Sequence, residues 1–289
     1  MWFELILRDL KQDDVETVSE QLEEFGALSI TFTDKTDTPI YEPELNTTPL
    51  WQKTVLTALF NDKALMLGAK GLVESEFSDL TIDTNEFEDK VWEREWLKSF
   101  KPMCFGERLW ICPTHYEPPE PKAVNVMLDP GLAFGTGTHQ TTALCLSFLD
   151  QTDVSNKVLC DYGTGSGILA IAALKLGAKQ LYAVDIDPQA VTATIQNAKS
   201  NHVSLDSLSV GLVEEIELPL VDIMLANILA SPLISLAPTL VSKVKPGGML
   251  ILSGLLETQI EEVSEAYKPL VKNINATLKD EWAMLEIKL

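Results

Sequence analysis

The sequence predicts an α/β protein built on a doubly wound, mostly parallel sheet of seven strands, with a smaller α+β domain ahead of it. Three observations predict it. After residue 122, short apolar strands alternate with helices, the pattern of a parallel sheet covered on both faces. One glycine-rich turn joins an apolar strand directly to a helix, Val158 to Ala173. The last two strands, Leu270 to Leu278 and Trp282 to Ile287, have only Lys279 to Glu281 between them. A link that short closes an antiparallel hairpin, not a crossover.

The elements of the first part alternate in type. Trp2 to Leu7 reads as a strand. Asp13 to Phe25 reads as a helix, capped by Asp13, with Glu16 three residues on and Gly26 as its stop. Leu28 to Thr33 is a second strand. Pro49 to Phe60 and Asp62 to Lys70 have helical spacing, as does Asp89 to Phe100, and Met103 to Cys112 is a strand. The proline-rich stretch EPPEPK, Glu117 to Lys122, blocks helix and weakens strand pairing, so a linker is expected there. The expected division is an α+β domain over residues 1–90, a connecting helix, strand and linker over 91–122, and the sheet domain over 123–289.

In the second part, Lys157 to Asp161 is a short strand, and Gly167 to Leu176 a helix that ends at Gly177. Leu181 to Val184 is the next strand. Pro188 to Asn201 is a helix with proline in its first turn, where the missing N–H costs nothing. Leu208 to Leu212, Val221 to Ala226 and Met249 to Ser253 are further strands, with a helix over Pro232 to Val244 before the last. There is no repeat and no low-complexity tract.

Composition narrows the function. The chain has 289 residues, 46% of them hydrophobic, with a formal net charge of −21 and 22 Lys and Arg against 43 Asp and Glu. About −13 of that charge falls before residue 101. A protein that grips phosphates needs a basic surplus, so a nucleic-acid substrate is not expected. Acid in excess either aids solubility or suits a basic protein partner. Cys104, Cys112, Cys145 and Cys160 form no CxxC pair and read as reduced thiols. His115, His139 and His202 are dispersed, and no metal is expected. Glu4, Arg8 and Asp9 interrupt the first apolar run, against a signal peptide. Ile223 to Ser242 carries no charge but contains Asn227, Pro232 and Pro238, so it reads as strand, loop and helix, not as a membrane span. A cytoplasmic monomer is the expectation.

Four features carry chemistry. In VLCDYGTGSGILAIAA, a strand ends at Asp161, and Gly163, Gly165 and Gly167 follow at alternate positions before the helix. Such glycines let backbone approach a ligand at a helix N-terminus. The spacing is GxGxG. The nicotinamide fingerprint is GxGxxG, and Ile168 stands where its third glycine belongs. Asp185, in YAVDIDP, ends the next strand about twenty residues later, as a ribose acceptor would; alone it is an ordinary strand-end acid. Asp187 reads as the cap of the following helix. Asn227, in DIMLANILASP, ends the fourth strand and either faces the ligand crevice or is a buried turn residue. Upstream, LDPGLAFGTGTHQTT, Leu128 to Thr142, holds three glycines and four threonines, so it either packs on a ligand or caps a helix starting near Thr138. His139 there is a base or a solvent-facing residue at the helix cap.

These motifs resemble the class I S-adenosylmethionine-dependent methyltransferases, whose fold is Rossmann-like. DYGTGSG is similar to their first motif, Asp185 to their second, and VKPGG, Val244 to Gly248, to the turn before their fifth strand. GLAFGTGTHQTT, DYGTGSGILAIAALKLGA, VDIDPQAV, NILASPL and WEREWLKSFKPMCFGERLWICP, Trp92 to Pro113, are similar to signatures of the bacterial ribosomal protein L11 methyltransferase family. The likeness is strong over residues 90–289; the first 90 match in size and layout. Gln140 stands where that family usually has proline, which changes loop stiffness and not function. The resemblance implies S-adenosyl-L-methionine as cofactor and Thr142, Gly163, Asp185 and Asn227 as its contacts, with Gly165 and Gly167 completing the turn. It implies that the N-terminal module recognises a basic ribosomal protein of the large subunit, and that lysine side chains and the α-amine are methylated. The reaction then needs positioning groups and no nucleophile: Asn227, Thr138 and His139, within the Phe134 to His139 loop, around the amine.

Three rivals are weighed against this. A nicotinamide oxidoreductase conflicts with GxGxG and with the terminal hairpin. A nucleic-acid methyltransferase conflicts with the charge, and Asn227 is followed by Ile228, Leu229 and Ala230 with no aromatic to stack a flipped base. A binding module without catalysis conflicts with the intact glycines and Asp185, and the same fold acting on another protein or a small molecule stays open.

Overall fold

Alternation shapes the first strand, β1 (Trp2–Leu10): Phe3, Leu5, Leu7 and Leu10 are buried and Glu4, Ile6 and Arg8 between them are not. The computed structural model describes residues 1–36, 40, 47, 49–51, 54–77, 79–88, 100–129, 135 and 137–289. The chain falls into two compact units, Met1–Trp92 and Glu93–Leu289.

In the first unit, β1 is followed by α1 (Val15–Glu24), β2 (Ser29–Asp34), β3 (Thr54–Phe60), α2 (Lys63–Glu76) and β4 (Thr81–Phe87). The sheet order is β2-β3-β1-β4 with every neighbour antiparallel, a split βαβ arrangement. Both helices pack on one face, where Leu5, Leu7, Val18, Leu22, Leu56 and Val73 form the core. The α1 start differs from expectation. A 3-10 turn over Gln12–Asp14 precedes it, and neither Asp13 nor Asp14 caps it through a side chain. Its end is as expected: Gly26 is left-handed at φ +93°, and Ala27 N–H donates back to Leu22 O at 2.9 Å. Asp62 caps α2, accepting from the Ala64 and Leu65 N–H groups at 2.7 and 3.2 Å.

The helix expected over Pro49 to Phe60 is a correction. Residues 54–60 are strand β3, because Val55, Leu56, Ala58 and Phe60 satisfy a pleated face and β1 and β2 both pair with it. The expectation missed β4 altogether. The helix expected over Asp89 to Phe100 lies outside the described residues except for Phe100.

The second unit opens with a three-stranded sheet, β5 (Met103–Phe105), β6 (Leu109–Cys112) and β7 (Val124–Met127), in that order. The single strand expected over Met103 to Cys112 is therefore a hairpin. Gly106 turns it at φ +82°, and a Cβ there would stand 2.2 Å from Asp150 Oδ2. Asp150 in turn accepts the Glu107 and Arg108 N–H groups at 2.7 and 3.2 Å. Glu117 to Lys122 runs between β6 and β7, which pair in parallel.

The main sheet follows: α3 (Gln140–Gln151), β8 (Val158–Tyr162), α4 (Ile168–Lys175), β9 (Gln180–Asp185), α5 (Pro188–Ser200), β10 (Leu208–Leu212), β11 (Val221–Asn227), α6 (Ala230–Ser235), α7 (Ala237–Ser242), β12 (Val244–Leu256), α8 (Ile260–Tyr267), β13 (Ile274–Lys279) and β14 (Trp282–Lys288). Its order is β10-β9-β8-β11-β12-β14-β13, parallel through β12 and antiparallel at β14 and β13. α3, α4 and α5 close one face around Leu146, Ile171 and Ala198, and α6, α7 and α8 close the other around Leu233, Leu240 and Val263. The helix expected over Pro232 to Val244 is split in two at Leu236, Ala237 begins the second piece with Pro238 in its first turn, and β12 takes Val244. Among the described residues no helix is long and apolar enough to cross a membrane. β8 has β9 on one side and β11 on the other, so the order reverses there, and a crevice opens at the strands' C-terminal ends.

Candidate functional site

The glycine turn leaves β8 at that crevice. Gly163 and Thr164 donate their N–H groups to Val184 O at 2.8 and 3.1 Å, which ties the turn to β9. Gly163, Gly165 and Gly167 all have positive φ, +78°, +54° and +80°. Two of them are glycine for the sake of protein neighbours. A Cβ on Gly163 would meet Ile228 Cγ2 at 2.3 Å, and one on Gly167 would meet Thr194 atoms at 2.8 to 3.1 Å. Gly167 thus lets α5 close on the turn and is not among the residues lining the cavity.

That cavity encloses about 590 Å³ and is walled by Gly163, Gly165, Asp185, Ile186, Asn227 and Trp282, with mostly apolar residues between. Its size suits a small organic ligand. Asp185 ends β9 with its carboxylate already aimed: Gly165 N–H donates to Oδ2 at 2.9 Å and Asp187 N–H to Oδ1 at 3.1 Å. Each oxygen keeps a second lone pair for a ligand hydroxyl. Ile186 follows it in sequence, 84% exposed, and lines the same cavity as Val213. Asn227 ends β11. Its Nδ2 donates to Thr142 Oγ1 at 3.3 Å, and its Oδ1 is buried with no hydrogen-bond partner among the described residues. A buried carbonyl left this way has acceptor capacity to spare for a ligand or a water.

His139 is half-buried and stands at the start of the helix, in the cap region the sequence assigns it to. It is the N-cap of α3: its Nδ1 accepts the Thr141 N–H at 3.4 Å and lies 2.8 Å from Thr141 Oγ1. Burial holds its pKa below the usual histidine value, which favours the uncharged ring. Its edge meets Trp282 with ring centroids 4.5 Å apart at 70°, and both rings line the cavity. The helix is therefore capped by histidine and not by a threonine. Thr142 is wholly buried behind Asn227, and Thr141 lines the cavity in its place. Thr138 is exposed and outside the lining; Phe134 lies outside the described residues. Asp161 is buried under the turn, where burial pushes its carboxyl up to about 7 although Thr164 Oγ1 and Ala170 N–H donate to Oδ2 at 2.9 and 3.2 Å.

The sequence reading missed Ile186, Val213, Tyr162 and Trp282. Ile186 had a signal, an isoleucine held between two acids in VDIDP. Trp282 had none, because the hairpin that brings it to Asn227 closes the sheet from the far end of the chain. Together these residues place a carboxylate held by two backbone N–H groups, an apolar wall and the Asn227 amide around one cavity, a set of groups whose chemistry fits an adenosyl group.

The family described as ribosomal protein L11 methyltransferase (PrmA) matches residues 1–289. A ribosomal protein L11 methyltransferase of Legionella pneumophila (strain Corby) is 47% identical over 285 residues, covering 99% of this chain and 98% of its own. One of Shewanella woodyi (strain ATCC 51908 / MS32) is 51% identical over 288 residues, 98% of each. The crystal structure of a ribosomal protein L11 methylase from Lactobacillus delbrueckii subsp. bulgaricus aligns with a TM-score of 0.58 at 34% identity, over 65% of this chain and 98% of that one.

Proposed function

We propose that this chain, which belongs to the ribosomal protein L11 methyltransferase family, methylates lysine side-chain amines and the N-terminal α-amine of ribosomal protein L11. It is an S-adenosylmethionine-dependent protein methyltransferase. When bound, S-adenosylmethionine supplies a methyl group on a positively charged sulfur, open to in-line displacement by an amine nitrogen.

The protein's part is placement. Asp185 would accept the ribose hydroxyls, and Ile186 and Val213 would hold the adenine by apolar contact. Asn227 Oδ1 would accept an N–H of the acceptor amine and so orient its nitrogen for the transfer. A free lysine amine, with a pKa near 10.4, is neutral in about one molecule in 2,500 at pH 7. The apolar walls, Trp282 among them, disfavour the ammonium form and raise that fraction. His139, whose Nδ1 caps α3, shapes the wall of the cavity. The unpartnered Oδ1 of Asn227, in one cavity with Asp185, is the observation that carries this reading.

The acidic surplus of the first 100 residues supports a basic protein as partner and that unit as its recogniser. Trp282 from β14 brings to the cavity an aromatic ring that the Asn227 motif itself lacks. The net charge of −21 is what opposes a nucleic-acid acceptor. The test is incubation with methyl-labelled cofactor and a ribosomal extract, followed by mass analysis. Label on lysines of L11 is expected; label on RNA alone overturns the acceptor. With L11, Asn227→Ala is expected to lower turnover about a hundredfold while S-adenosylhomocysteine affinity holds within about threefold. Unchanged turnover removes Asn227 from the reaction.

A further inference from the structure

Ile168 stands at the place of a third glycine and is nonetheless only 2% exposed. Part of its cover is the upstream glycine segment. A Cβ on Gly135 would stand 3.6 Å from Ile168 Cγ2, and one on Gly137 would stand 3.3 Å from Ile168 Cδ1. Both glycines have positive φ, +99° and +85°, and lie flush on the first turn of α4.

Ser166 fastens the contact. Its Oγ donates to Gly135 O at 2.5 Å and accepts the Ile168 N–H at 3.3 Å. The N-cap residue of α4, Gly167, has no side chain to offer, so the Ser166 hydroxyl serves the helix's first N–H instead. Asn197 Nδ2 donates to Ser166 O at 2.8 Å, and Thr194 Oγ1 to Gly165 O at 3.1 Å, so α5 holds the turn from behind. Ser166 is 5% exposed and does not line the cavity. The segment it fastens leads within four residues to His139, which does.

We propose that Ser166 is a positioning residue for methyl transfer: with Ile168 it seats Gly135 and Gly137 and so sets where His139 stands in the cavity wall. The glycine turn then has two duties. Its outer side, Gly165 with Asp185, meets the cofactor, and its inner side indexes the acceptor wall to that cofactor. This inference rests on the reading of the cavity given under Proposed function. Loss of the Ser166 hydroxyl removes its hydrogen bonds to Gly135 O and Ile168 N–H and frees the His139 wall to shift, and a shift of about an ångström is enough to slow an in-line reaction up to about a hundredfold.

The test compares wild type, Ser166→Ala, His139→Ala and the double variant, with S-adenosylmethionine and L11 at saturation. Ser166→Ala is expected to lower kcat about tenfold or more, with S-adenosylhomocysteine affinity within about threefold. In the His139→Ala background the same substitution is expected to have no further effect, because its consequence runs through that ring. Equal losses in both backgrounds, or no loss, overturn the proposal. Gly135→Ala attacks the seat from the other side and is expected to reproduce the kcat loss if Ser166→Ala folds poorly. Amide hydrogen exchange needs no acceptor: Ser166→Ala is expected to speed exchange at Ile168 and at Thr141. Unchanged exchange there sinks the seat even if wild type ignores L11, whereas failure of wild type on L11 with faster exchange in the variant sinks only the acceptor assignment.

Discussion

Replacing Asp185 by alanine removes the group on which the cofactor reading turns. The carboxylate takes one backbone N–H on each oxygen, from Gly165 at 2.9 Å and Asp187 at 3.1 Å, which fixes its plane before any ligand arrives. Two ribose hydroxyls can then donate to it, and a hydrogen bond to a charged group contributes about 1.5–3 kcal/mol. Their full loss costs about 3–6 kcal/mol on that scale, but water entering the space left by the side chain recovers part of it. The expected penalty is near the lower end, about 3 kcal/mol, or a Kd raised about a hundredfold. Isothermal titration with S-adenosylhomocysteine measures this directly, and its neutral sulfur keeps long-range charge effects small. Turnover at saturating cofactor is expected to stay within about threefold, since Asp185 is distant in role from the reacting nitrogen. A folded variant whose Kd lies within threefold of wild type refutes the ribose assignment.

Two further predictions concern what surrounds the turn. Gly167→Ala places a Cβ at φ +80° and within 3.1 Å of the Thr194 backbone. Left-handed strain of about 1–2 kcal/mol and overpacking of about 1–3 kcal/mol add to a melting temperature lower by about 10 °C, read by calorimetry; an unchanged melting temperature contradicts the packing account. Asp161 has a folded pKa of about 7 against an ordinary 3.8. The folded state therefore keeps a proton that the unfolded chain has lost, and stability contributed by that proton falls as pH rises from about 4 to about 7, then levels. Asp161→Asn is expected to flatten that fall in urea midpoints; an identical slope in the variant contradicts it.

How far the sequence carried each feature depended on the range of the interactions that decide it. The glycine turn, Asp185 and Asn227 were legible because a strand end, a turn and a helix start are all specified within a few residues. Asp187 as the cap of α5 was legible for the same reason, and its Oδ1 accepts the Gln189 N–H at 2.8 Å. Residues 49–60 were not, since Val55, Leu56, Ala58 and Leu59 fit a helical stripe as well as a pleat, and only pairing with β1 and β2 decides between them. Thr142 and Gly167 belong to the motifs yet serve Asn227 and Thr194 from behind, a distinction that spacing does not contain. Trp282 reaches the site only because β14 runs antiparallel to β12 and pairs it with Leu256 at the ligand end of the sheet.

The most direct test of the whole account is a crystal structure of the protein with S-adenosylhomocysteine bound. The expected density has both ribose hydroxyls within hydrogen-bonding distance of the Asp185 carboxylate, the adenine between Ile186 and Val213, and the sulfur facing Asn227. A nucleoside seated elsewhere, or one lying in this crevice with Asp185 turned away from its ribose, contradicts it.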